Sequence, residues 1–236
     1  MASAPPFIVA VDGPAGAGKS TVSRALAHRL GFALVDTGAI YRTVALAATR
    51  QGIAYDDDSA LAHLLPTLQI RFAARGDQNS VYLHGWNGDE DVSAAIRTPE
   101  ISTAASAVSA RPVVRDGLLE LQRRLALASP GGAVLEGRDI GTVVFPDAQA
   151  KFFLTATSRQ RAERRHRELL AQGQTTTLEQ VLAQQRQRDR NDSERDVAPL
   201  RAAPDAVILD STDLGLEAVV SRMVAEIARR QSERAP

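Results

Sequence analysis

The run Gly13-Pro14-Ala15-Gly16-Ala17-Gly18-Lys19-Ser20 constrains this chain more than any other feature. It matches G-x-x-x-x-G-K-[ST] at every fixed position. By average residue usage such a match arises by chance at about one start in 30,000. Before it stands Phe7-Ile8-Val9-Ala10-Val11, a short β-branched apolar run that reads as a buried strand. After it, Val22, Leu26 and Leu30 share one helical face until Gly31 stops the helix. Glycines let the backbone wrap an anion and turn its N–H groups inward. The helix that begins near Lys19 adds its positive dipole end. The Lys19 ammonium reaches toward β- and γ-phosphates, and the Ser20 hydroxyl suits Mg²⁺. Gly13, Pro14, Ala15, Gly16, Ala17, Gly18, Lys19, Ser20 and Thr21 are therefore the expected ATP site. The competing reading is a glycine-rich turn feeding a helix, with Lys19 solvated.

The rest of the chain fits a three-layer α/β fold, a parallel sheet flanked by helices. Ala33-Leu34-Val35 reads as a second strand, 39–51 as a helix, and Ala133-Val134-Leu135 and Ala150 to Leu154 as further strands. Ala206-Val207-Ile208-Leu209 reads as the last strand, and 215–230 as a closing helix with Val219, Met223 and Ile227 on one face. Between 67 and 93 the pattern changes to short strand runs broken by Arg75-Gly76-Asp77, Gly85 and Asn87-Gly88, a small antiparallel meander. Helices are expected over 94–109 and 112–128, parted near Pro112. The stretch 158–195 reads as helical and arginine-dense. The expected organisation is a core of 7–66, 94–157 and 196–230, an inserted meander at 67–93 and a helical lid at 158–195. Residues 1–6 and 231–236 are expected to be frayed.

Composition narrows the partners. With 28 basic and 28 acidic residues the formal net charge is zero, a poor match for nucleic acid or an anionic membrane. There is no cysteine, so disulfides and thiolate metal sites are excluded. No apolar run approaches the roughly 20 residues that span a bilayer, and no secretory signal precedes the first strand. A cytoplasmic monomer acting on small nucleotides is the expectation. Lysine occurs only at 19 and 151, so the rare lysine falls on the phosphate loop.

Several phosphate-loop classes compete. No Asn-Lys-x-Asp run reads guanine, which argues against a switch GTPase. Asp36, Glu136 and Asp210 close apolar runs and could each serve a motor ATPase. A small-acceptor kinase needs an anionic acceptor held in line and charge neutralised on the moving phosphoryl group. Arg159, Arg161, Arg164, Arg165, Arg167, Arg186, Arg188, Arg190 and Arg195 suit a lid that does this, although arginine on helices is also common on solvated faces.

Longer matches decide among these. The sequence resembles bacterial cytidylate kinases from Ile8 to about Ala228. The resemblance rests on Val11 to Ser20, Asp36-Thr37-Gly38-Ala39-Ile40-Tyr41-Arg42, Ile96-Arg97-Thr98, Ala104-Ala105-Ser106, Val114-Arg115, Glu136 through Ala148, Arg186 to Arg195 and Ala198-Pro199-Leu200. It implies transfer of the ATP γ-phosphoryl group to CMP and dCMP with Mg²⁺ held by Ser20. It assigns the acceptor phosphate to Arg42, Arg138 and Arg195, whose guanidinium forks suit phosphate oxygens. It assigns the cytosine edge to Thr37, Ser106, Arg115 and Asp139, and the ribose to Arg188 and Asp192. Asp36 and Tyr41 line the same pocket. Lys19, Arg138, Arg164 and Arg195 are the expected catalytic groups. By the same resemblance the meander is a nucleoside-monophosphate-binding insert. Three positions depart from the family: Thr37 where many members have Ser, Ser20 where some have Gly or Thr, and Glu136 where others have Asp. Read singly, Asp36 or Thr37 is as well a helix cap, Ser106 a packing residue and Asp139 a local partner of Arg138.

Overall fold

The structure is a computed structural model that describes residues 5–75, 78–85, 88–171 and 173–233. Of the ends expected to be frayed, 1–6 and 231–236, residues 1–4 and 234–236 lie outside the described residues, as do the turn residues Gly76, Asp77 and Asn87; Gln231 and Ser232 belong to the closing helix. Two compact units divide the chain: one of residues 1–34 and 126–236, the other Val35–Leu125.

The first unit is built on a five-stranded sheet. Its strands are β1 (Phe7–Asp12), β2 (Ala33–Asp36), β6 (Gly132–Gly137), β7 (Ala150–Thr155) and β8 (Val207–Asp210), in the order β2-β6-β1-β7-β8. The unit boundary falls inside β2. β1 runs parallel to β6 and β7, and β7 runs parallel to β8. Ile8, Val9, Ala10 and Val11 are all buried, so β1 is covered on both faces, as its unbroken apolar run requires. Val9, Val11, Val134, Phe152 and Leu154 form one cluster with Val22 and Leu26 of α1 (Lys19–Leu30) and Val219, Val220, Met223 and Ile227 of α8 (Leu216–Ser232). Each such side chain contributes about 1.5–3 kcal/mol on burial. Gly31, at φ 65°, ends α1 in the left-handed region that glycine enters without a steric cost.

The stretch expected to be helical from 158 to 195 is two helices, α6 (Ser158–Ala171) and α7 (Leu178–Glu194), packed against each other. Thr177 restarts the helix with a capping box: its hydroxyl accepts from the Gln180 amide N–H, and the Gln180 side chain accepts from the Thr177 N–H. Ala162, Leu169 and Val181 form their shared core.

The second unit holds α2 (Thr37–Arg50), α3 (Asp58–Leu64), an antiparallel sheet of β3 (Gln69–Arg75), β4 (Gln78–Gly85) and β5 (Gly88–Asp91), α4 (Pro99–Ser109) and most of α5 (Pro112–Leu127). In the β3–β4 register Ile70 faces Leu83, and both are buried with Val81. α2 and α4 pack together. Thr98 caps α4, with Pro99 in the first turn, where its missing N–H costs nothing. Among the described residues no helix is long and apolar enough to cross a membrane.

Candidate nucleotide site

The phosphate loop joins β1 to α1, as its sequence context requires. Gly13 stands at φ 147°, and a Cβ there would lie 2.0 Å from the Leu154 carbonyl oxygen, so only glycine fits. The Ncap of α1 is Gly18, which has no side chain to bond the first N–H groups of the helix. Lys19 is 7% exposed and donates from Nζ to the Pro14 carbonyl at 2.8 Å. Burial, joined by the charges of Arg138 and Arg188, holds its ammonium well below the ordinary lysine range, against the pull of Glu136 and Asp192. A polyphosphate beside it reverses that balance by supplying the missing negative charge.

Ser20 Oγ donates to Glu136 Oε2 at 2.7 Å, joining the first turn of α1 to β6. This gives the glutamate a definite partner. A hydroxyl and a carboxylate side by side next to a phosphate cradle are hard oxygen donors of the kind Mg²⁺ takes.

β6 leads directly into Arg138 and Asp139. Arg138 donates from Nε to Asp192 Oδ2 at 2.8 Å and from Nη1 to the Gly137 carbonyl at 3.2 Å. Arg138 therefore pairs across to α7, and Asp139 faces Arg195, 3.8 Å away, instead of pairing with its neighbour in the chain. Arg195 also donates from Nε to the Ala198 carbonyl at 2.7 Å and lies 3.9 Å from Asp192. Ala198 stands at φ 51°, the only positive-φ non-glycine among the described residues. That conformation costs about 1–2 kcal/mol for an L-residue and turns its carbonyl onto Arg195. Burial pushes the Asp192 carboxyl up, but Arg138, Arg188 and Arg195 pull it further down, so it is held below the usual carboxylate range.

After Asp139 the chain makes one π-type turn, Ile140–Val144, in which Phe145 N–H bonds back to Ile140. Such turns are concentrated at functional sites. Asp12, at the end of β1, accepts the N–H groups of Ile140 and Gly141, each at 2.8 Å. Its burial raises its pKa to about 6; the two N–H bonds and Lys19 oppose the rise, and Asp139 adds to it.

Two arginines of α6 stand on the phosphate loop itself. Arg164 donates to the Oγ and carbonyl oxygen of Ser211, and a Cβ on Gly18 would meet its Nη1 at 4.0 Å. Arg161 donates to the Ala15 carbonyl at 2.8 Å and to Asp189 at 3.1 and 2.6 Å.

In the second unit, Asp36 caps α2 through Oδ1, which accepts the Ala39 N–H at 2.8 Å, and binds Arg42 through Oδ2 at 3.0 Å. Both tasks fall on one carboxylate because Gly38 leaves the room; a Cβ there would stand 3.2 Å from each partner. Thr37 is buried in the first turn of the same helix. The Arg115 guanidinium lies 5.4 Å from the Tyr41 ring centroid, within cation–π range, and donates to the Ser109 carbonyl at 3.0 Å. Ser106, on α4, donates to the Ser102 carbonyl at 3.3 Å.

Sequence reasoning left out Asp12, the Ser20–Glu136 bond, the lock at Arg161 and the anchor Ser211. The first two have a legible signal, an acid at the end of a strand; the others depend on which long side chain meets which carbonyl.

Loop, sheet and buried charge cluster together define a phosphate-loop nucleotide-binding protein. Comparison with known proteins sharpens this. The cytidylate kinase family profile matches residues 9–229. Cytidylate kinases of Geobacter sulfurreducens and Syntrophotalea carbinolica are 54% and 52% identical over 225 residues, covering 95% of this chain and 94% and 93% of theirs. That of Haemophilus ducreyi is 48% identical, covering 94% of this chain and 97% of its own. The chain belongs to the cytidylate kinase family.

Proposed function

We propose that this enzyme transfers the γ-phosphoryl group of ATP to the phosphate of CMP, and of dCMP, giving the diphosphates. The observation that carries the reading is the cluster around Lys19. A phosphate loop, Ser20 with Glu136, and the chain Arg138–Asp192–Arg195 lie in one unit of a chain whose family is named for cytidylate phosphorylation.

Lys19 and the loop N–H groups hold the β- and γ-phosphates. Ser20, with Glu136 beside it, would hold Mg²⁺, which would supply charge neutralisation on the phosphate oxygens. Arg42, Arg138 and Arg195 take the acceptor phosphate, and Arg164 covers the moving group, supported by its place over Gly18. No general base is required, because the acceptor phosphate is already an anion. Thr37, Ser106, Arg115 and Asp139 read the cytosine: an acidic acceptor for the exocyclic amine with donors for the carbonyl and ring nitrogen. Arg188 and Asp192 meet the ribose, and Asp36 and Tyr41 shape the pocket. The helices α6 and α7 act as a lid that excludes water, and the β3–β5 meander serves the acceptor nucleotide. The protein acts as a cytoplasmic monomer.

The test is ADP release from ATP-Mg²⁺ with CMP, dCMP, UMP, AMP, shikimate or no acceptor. Rapid turnover with CMP and dCMP, about tenfold or more above the rest, is expected. A win for UMP or AMP overturns the base assignment. A rate independent of acceptor overturns the kinase reading.

A further inference from the structure

Arg161 is set apart from the other arginines of α6. Its side chain is 5% exposed. Each of its guanidinium N–H groups has a partner: Nε donates to Ala156 O at 3.1 Å, Nη1 to Ala15 O and Asp189 Oδ1, and Nη2 to Ser158 Oγ at 3.2 Å and Asp189 Oδ2. One planar fork thus bonds the phosphate loop on one side and α7 on the other. A second contact runs beside it. Gln185 of α7 donates to the Arg161 carbonyl at 3.3 Å, and a Cβ on Gly16 would stand 2.5 Å from the Gln185 amide nitrogen. The loop is therefore packed directly against α7 at Gly16. On α7, Asp189 follows Arg188 and precedes Asp192 by three residues, nearly one turn.

We propose that Arg161 is a positioning residue that registers α7 to the phosphate loop, so that occupation of the loop by ATP is felt as affinity for the acceptor. The proposal rests on the acceptor reading of Arg188, Asp192 and Arg195 given above. Ala15 lies within the phosphate loop, so any shift of the loop on taking up a phosphate would move the carbonyl that Arg161 holds. Through the bidentate Arg161–Asp189 pair the loop fixes the height and rotation of α7. A lysine at 161 cannot do this, because an ammonium lacks the rigid fork that reaches a carbonyl and both carboxylate oxygens together. Coupling of this kind is reciprocal: the acceptor tightens ATP by the factor by which ATP tightens the acceptor.

The test is calorimetric. The Kd for CMP is measured with and without a saturating non-hydrolysable ATP analogue and Mg²⁺, in the wild type, Arg161→Lys and Asp189→Asn. Far-UV circular dichroism checks that each variant is folded. The wild type is expected to bind CMP about tenfold tighter with the analogue, within the usual range for coupled sites. In both variants the gain is expected to fall to about twofold or less. A merely structural brace would alter stability and leave the gain intact. Asp189→Asn keeps the size of the side chain and decides the matter where Arg161→Lys does not fold. Full coupling in a folded variant, or none in the wild type, overturns the proposal. A wild type that neither binds nor phosphorylates CMP takes down the acceptor reading, and this inference with it.

Discussion

The unit that carries the phosphate loop and the unit Val35–Leu125 hold their charges differently. In the first, Lys19, Glu136, Arg138, Asp139, Asp192 and Arg195 are all largely withdrawn from water and bonded to one another, to carbonyls or, for Glu136, to Ser20. In the second, most ion pairs lie on the surface, as in Arg50–Glu90 with side chains 43% and 54% exposed and Arg71–Asp89 with 56% and 39%. Such pairs contribute about 0–1 kcal/mol each. Asp36–Arg42 and the Arg115–Tyr41 contact are withdrawn from water. Under the proposed function, the first unit gathers the phosphate-handling groups together with Asp139, Arg188 and Asp192, where dense, pre-organised charge in low dielectric serves phosphate chemistry. The second unit supplies Thr37, Ser106 and Arg115, the few well-placed groups that base selection needs.

The comparison breaks most visibly at Lys19. Lys19→Met is expected to lower kcat by about 10³-fold with every acceptor, in steady-state assays, while the protein stays folded. Near-normal turnover would remove Lys19 from the chemistry.

Asp12 tests the buried charge of the first unit by pH. A carboxyl whose pKa is 3.8 in the open chain and about 6 in the fold is penalised when ionised in the folded state. Its contribution is full below about pH 4 and is lost as pH rises through 6, about 3 kcal/mol in all. Asparagine does not titrate. Urea unfolding should therefore show the stability of the wild type relative to Asp12→Asn falling between pH 4 and 7. A flat difference would contradict the assigned burial cost.

Arg188→Ala is expected to raise the KM for CMP about tenfold and that for ATP far less, the loss of one hydrogen bond to a charged group. Equal effects on both would contradict the placing of Arg188 on the acceptor. In the second unit, Asp36→Ala removes both the cap of α2 and the partner of Arg42. Its expected cost is about 1 kcal/mol in unfolding free energy, read by urea unfolding.

Much of this was legible because loops and helices declare themselves by spacing. The helix Lys19–Leu30 and the antiparallel meander follow from their residue periods. Two elements did not. α3 has only seven residues, too few for a helical period to stand out, although Asp57 caps it through the Ala60 N–H. The break between α6 and α7 falls in a stretch read as one run of arginine-rich helix, yet Gly173, at φ 76°, and the Thr177 and Gln180 capping box were there to be read. In the site, identities were legible and pairings were not. Asp139 beside Arg138 looks like a local pair, but the backbone turns after β6 send them to Arg195 and Asp192. Arg161 looks like one more helix arginine, and only the fold shows that its N–H groups are committed to Ala15, Ala156, Ser158 and Asp189.

The division of tasks is tested most directly by the ratio of kcat/KM for CMP to that for UMP, in the wild type, Lys19→Met and Arg115→Met. The account predicts a wild-type ratio of about ten or more, the same ratio in Lys19→Met despite its slow turnover, and a ratio near one in Arg115→Met with most of kcat retained. An unchanged ratio in Arg115→Met, or a collapse of the ratio in Lys19→Met, would contradict it.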